Sequence, residues 1–157
     1  MHYPPVRSPS GQAELILKLY EMRRETTMRE ARSYIGGEFA PNSAEELVAI
    51  VTAGDKHGAF VLQVYGYWDM VAAFVESGAL DAKLVYNTCR KMYFQYAKIQ
   101  PYLARFRKIM NLPEWMSSIE HLVEESEIGR SRLQMMKKNL AALAAAKAAS
   151  NAETPAT

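Results

Sequence analysis

Cysteine is nearly missing from this chain: Cys89 is the only one in 157 residues, which excludes an intramolecular disulfide and a thiolate metal cluster. A reducing compartment suits that usage. An excess of one charge is also missing, since 19 Lys and Arg stand against 17 Asp and Glu, for a formal net charge of +2. So small an excess makes no overall case for nucleic acid or an anionic membrane, and such a case has to come from local clustering. The histidines are His2, His57 and His121, and none lies at ligand spacing from another. Ser118 stands three residues before His121 and Gly54 three before His57, so the paired Glu-x-x-His of a di-iron bundle is absent. No Gly-x-Ser-x-Gly, Walker or dinucleotide-binding string occurs. Alternating runs closed by Asn-Gly or Asp-Gly, the mark of hairpins, are nearly lacking too. The most apolar stretch, 59–75, is shorter than the roughly 20 residues of a membrane span and is interrupted by Gln63 and Asp69. Residues 1–12 carry Pro4, Pro5 and Pro9 without an apolar core segment, so they do not read as a secretory signal. These absences point to a soluble, cytoplasmic protein with no metal and no cofactor.

What is present is helical periodicity. The chain reads as one all-α domain, a bundle of about five helices with a long C-terminal helical arm. The first helix is predicted over 10–36, ending at Gly36-Gly37, with Leu17, Tyr20, Met28, Ala31 and Ile35 as its apolar stripe. Arg24 falls in that stripe. Ser43 with Glu46 forms a capping box for a short helix over 44–52. The third helix, 59–77, is apolar nearly all round and is expected at the centre. Asp81 caps the fourth, with Leu80 and Val85 placed as a hydrophobic staple. Val85, Cys89, Met92, Tyr96, Ile99, Leu103, Phe106 and Met110 then alternate steps of four and three, which predicts one long helix kinked at Pro101. A last helical run starts at Pro113 and keeps a heptad through Trp115, Ile119, Leu122, Leu133, Met136, Leu140 and Leu143, with a bend or break expected near Gly129. The organisation expected is a disordered N-terminus over 1–10, a helical domain over 11–128, a C-terminal helix over 129–149 and a disordered tail over 150–157.

Candidate chemistry is thin. Cys89 lies on an apolar stripe, where a thiol behaves as a small hydrophobe. Arg23, Arg24, Arg29 and Arg32 gather on the first helix, but Glu21, Glu25 and Glu30 interleave them, and Arg105, Arg107 and Lys108 form a second group. A solvated face explains both groups at least as well as a nucleic-acid footprint. Arg24 and Asp69 each occupy an apolar setting in which a lone charge is costly, so they are expected to pair across the core and align two helices.

Two stretches resemble a known family. Leu19-Tyr20-Glu21-Met22-Arg23-Arg24-Glu25, followed by Met28-Arg29-Glu30-Ala31-Arg32, is similar to the opening of a bacterial family catalogued as domain of unknown function 4760. Phe74-Val75-Glu76-Ser77-Gly78-Ala79-Leu80-Asp81, then Leu84-Val85-Tyr86 and the aromatic helix through Tyr96 to Pro101, resembles its second block. The resemblance implies a helical fold and brings no activity, cofactor or catalytic residue.

The function expected is a non-enzymatic interaction or regulatory module. Its reason is the C-terminal heptad, whose apolar seam (Ile119, Leu122, Leu133, Met136, Leu140, Leu143) must meet either this domain's own helices or another chain. Its partner would then be a protein or a second copy. The alternatives are a nucleic-acid-binding helical protein and an enzyme of unknown class using Tyr65, Tyr67 and Asp69.

Overall fold

A computed structural model describes residues 8–153, and the regular elements among them are all helical. They are α1 (Pro9–Arg24), α2 (Thr26–Gly36), α3 (Ala44–Thr52), α4 (Lys56–Glu76), α5 (Ala82–Thr88), α6 (Arg90–Ile99), α7 (Leu103–Met110), α8 (Ser117–Glu124) and α9 (Glu127–Ala152). A 3-10 turn, Gln100–Tyr102, joins α6 to α7. The chain supplies its own start signals. Side chains of Ser8, Ser43, Asp55, Asp81 and Ser126 each accept a backbone N–H from the first turn that follows. The Ser43 box closes with a shift, because Glu46 Oε2 takes the N–H of Asn42 at 2.7 Å.

The all-round apolar helix is the central one. Val61, Val64, Tyr65, Trp68, Val71 and Ala72 of α4 are buried, and the helix packs against α2, α3 and α8. It is also the one helix among the described residues long and apolar enough to cross a membrane by length and composition, a test that the core helix of a globular protein equally passes. Gly58 lets it approach α3 closely: a Cβ there would sit 2.8 Å from the carbonyl oxygens of Ile50 and Val51.

The helix boundaries differ from the sequence reading where one stripe spans two helices. The expected first helix breaks at Glu25, whose ψ of 141° is extended. Beyond the break Met28, Ala31 and Ile35 are buried as expected. Before it the buried line is Gln12, Ile16, Leu19 and Arg23, while Leu17 is 63 % exposed. Steps of three and four carried back from Met28 arrive at Arg24, one residue out of phase, because the two helices do not share an axis. The long fourth helix is interrupted at Cys89 and again at the 3-10 turn holding Pro101. Its stripe from Val85 to Phe106 is nevertheless buried throughout, since the short helices pack on one core. Pro113 lies in a turn and not in a helix; Met116, at φ 63°, leads into α8. The last break falls at Glu125–Ser126, ahead of Gly129.

The C-terminal helix returns to the body. α9 packs along α6 and against α8. It starts at Glu127 and runs unbroken to Ala152, so 129–149 is no separate unit and residues 150–152 are helical. Pro9 and Ser10 belong to α1, and the remainder of the two expected disordered ends, 1–7 and 154–157, lies outside the described residues. Ile119, Leu122 and Leu133 of the expected association seam are buried in the domain's own core, and Met136 and Leu140 pack partly against it. Ile119, Leu122 and Leu133 are therefore not free for another chain, while Met136 and Leu140 keep part of their surface open. Leu143 remains 58 % exposed.

Candidate functional site

The return of α9 leaves a groove between itself, α6 and the end of α2. Two adjoining cavities, of about 410 and 390 Å3, share Gly36 and Phe94 as lining residues. On α9 the groove wall follows the heptad line: Met136, Leu140, Leu143 and Lys147, at steps of four, three and four. Phe94, Ala97 and Pro101 form the opposing apolar floor. Gly36 adds to the opening, since beyond its chain neighbours and its own helix backbone no atom lies within 4 Å of where its Cβ would stand.

Charge in the groove has one sign. Arg32, Arg90 and Lys91 line one cavity, Lys98 and Lys147 line the other, and no Asp or Glu lines either. In a chain of net charge +2 this is a local concentration, so the groove favours anionic groups. Two of the five also act on their neighbours. Lys98 Nζ donates to the carbonyls of Ile35 at 2.6 Å and Phe39 at 2.9 Å, at the end of α2, and burial lowers its pKa. Arg32 Nη1 donates to the Arg23 carbonyl at 3.2 Å, and its pKa is lowered by burial and then by the Arg23 charge.

The inner wall is held by hydrogen bonds from α4. Trp68 donates its indole N–H to Gln95 Oε1 at 2.5 Å, and Tyr65 donates to the Gln95 carbonyl at 2.6 Å. Gln95 in turn lines the cavity beside Arg32. Tyr67 donates to the Leu19 carbonyl at 2.9 Å. Burial raises the pKa of Tyr65 and Tyr67, so both phenols stay protonated as cross-braces.

The expected pair of Arg24 and Asp69 is not formed. Arg24 is exposed on α1. Asp69 Oδ1 accepts the backbone N–H of Ile119 at 3.0 Å and so caps the start of α8. Burial raises its pKa, opposed by the N–H groups of Ile119 and Ser118. Arg23 is the arginine inside the fold, 7 % exposed, with its guanidinium over the rings of Tyr20 and Trp68.

The other candidates take structural places. Cys89 is buried, and burial raises its thiol pKa, the reverse of an activated nucleophile. His57 stacks on Tyr34, and His121 Nδ1 lies 2.9 Å from Glu76. Among the described residues no three His, Cys, Asp or Glu side chains gather as a metal site. Arg105 pairs with Glu45 and Arg107 with Glu120, which neutralises much of the second basic group. The groove itself escaped the sequence reading. Arg32 was visible as part of a cluster, but Lys147 joins Arg90 and Lys98 only once α9 lies on α6.

Neither curated proteins nor solved structures provide a match to the chain. A family model, Domain of unknown function (DUF4760), matches residues 9–126, from the start of α1 to the residue before α9. The chain belongs to that family.

Proposed function

We propose that this protein is a non-enzymatic interaction module that receives an acidic, amphipathic helical segment of a partner protein in the groove between α2, α6 and α9. The observation that carries this reading is the single sign of the groove's charged lining, Arg32, Arg90, Lys91, Lys98 and Lys147. An apolar floor flanked by cations is the complement of a helix with an apolar stripe flanked by carboxylates. Leu143, exposed at the open end, is the anchor point such a stripe would cover.

The apolar floor favours an amphipathic helix over a sugar–phosphate backbone, for which a continuous basic stripe is the usual footprint. The test is fluorescence anisotropy with two labelled synthetic helices of one apolar stripe, flanked by Glu in one and by Lys in the other. The Glu peptide is expected to bind at physiological salt and to weaken at least about tenfold against Arg90→Glu/Lys91→Glu. Equal binding of the two peptides, or indifference to the double substitution, would overturn the reading. So would retention of mixed-sequence DNA or RNA at that salt in preference to the peptide.

A further inference from the structure

Among the described residues, Arg23 and Arg32 stand together with no carboxylate paired to either. Arg23 is 7 % exposed, yet among the described residues its guanidinium meets no carboxylate and donates no hydrogen bond; two aromatic rings are its neighbours. Its Nε is buried without an acceptor, and so is Arg32 Nε. Arg32 Nη1 lies 3.2 Å from the Arg23 carbonyl oxygen, which sets the two residues side by side, and the Arg23 charge opposes that of Arg32. Two adjacent guanidinium groups with unused donors are costly in a folded protein, and a polyvalent anion removes both the repulsion and the unmet donors. The cavity lined by Arg32 opens the way, and Arg90 and Lys91 at its rim add to the attraction.

We propose that Arg23 and Arg32 form a binding site for a phosphoryl group, entered through the cavity between α2, α6 and α9. A tetrahedral dianion offers enough oxygens to accept from both planar forks, and it matches two cations better than one carboxylate does. The group comes either from a free phosphate compound or from a phosphorylated side chain on the docked segment; the second source rests on the function proposed above, and the first does not.

Isothermal titration with inorganic phosphate at low millimolar concentration, in chloride buffer of matched ionic strength, tests the site by itself. Saturable one-to-one binding is expected, weakened at least about tenfold by Arg32→Gln and unchanged by Lys138→Gln, an exposed cation on α9 outside the groove. Circular dichroism of Arg32→Gln confirms that the variant is folded; Arg32→Lys, which keeps the charge and loses the fork, serves in its place if it is not. No phosphate binding above chloride in the wild type, or full binding in the Arg32 variant, overturns the proposal. A phosphoserine peptide against its serine and glutamate versions separates the sources. Preference for the phosphoserine form places the phosphoryl on the docked segment, and binding of inorganic phosphate without that preference assigns the site to a free compound. Loss of peptide binding alongside retained phosphate binding would contradict the peptide groove and leave this site standing.

Discussion

Asp69 on α4 holds the first turn of α8, with its Oδ1 3.0 Å from the backbone nitrogen of Ile119. The bond needs an acceptor and not a charge, and burial disfavours the ionised form, raising the carboxyl pKa. Asp69→Asn retains an acceptor and is expected to change stability by less than about 1 kcal/mol. Asp69→Ala leaves the α8 donor unmet and should cost about 1–3 kcal/mol. Urea melts of the two variants check this; equal losses from both would mean the charge itself is what matters.

Glycine at 129 is required by its surroundings. A Cβ there would lie 2.2 Å from the Val123 carbonyl oxygen and 2.7 Å from Ser126 Oγ, at the tight corner between α8 and α9. Gly129→Ala is expected to destabilise by about 2 kcal/mol or more, through overpacking against backbone that cannot give way. Gly66, inside α4, has nothing within 4 Å of the same position beyond its chain neighbours and its own helix backbone. Gly66→Ala should stabilise by up to about 1 kcal/mol through helix propensity. Differential scanning calorimetry on the pair reads opposite shifts in Tm.

The His121–Glu76 contact sets a pH dependence. The hydrogen bond to Glu76 chiefly raises the His121 pKa, helped by the charges of Glu125, Glu76 and Glu120. A cationic histidine favoured in the folded state binds its proton more tightly there than in the unfolded chain. Its contribution is therefore complete below the ordinary value of 6.5 and is lost as pH rises through the raised folded value. Both side chains are about half exposed, so the effect is a few tenths of a kcal/mol. Wild type should exceed His121→Gln in Tm at about pH 5.5, with the gap closing by about pH 9. A gap that widens with pH would reverse the assignment.

The two halves of α9 should respond differently to truncation of their leucines. Leu133 is buried against the body, and Leu133→Ala is expected to cost about 2–5 kcal/mol. Leu143 is exposed, and Leu143→Ala should stay within about 0.5 kcal/mol. A chain ending at Glu127 loses Leu133 and the cover over α6, so it should melt well below the full chain. Comparable melting of the truncated and full chains would place α9 off the body.

The all-α class, the central place of α4 and the caps at Ser43 and Asp81 were legible in the sequence because each depends on local chemistry or on composition around one helix. The stripe from Val85 to Phe106 was legible as a buried line, although Cys89 and Pro101 divide the helix that carries it. Arg24 lies off the buried line for a related reason: a period can be followed across Glu25, but the change of helix axis there is invisible in residue spacing. The groove depended on tertiary placement. Met136 and Leu140 read equally well as a seam for another chain or for α6, and the choice rests on how the corner at Ser126–Gly129 turns.

The most direct test of the groove is heteronuclear NMR of the labelled full chain, titrated with the acidic amphipathic peptide. The account predicts amide shifts gathered at Gly36, Phe94 and Leu143, along facing stretches of α2, α6 and α9. Shifts centred on α1 and α3 with those three positions unmoved, or no shifts at saturating peptide, would contradict it.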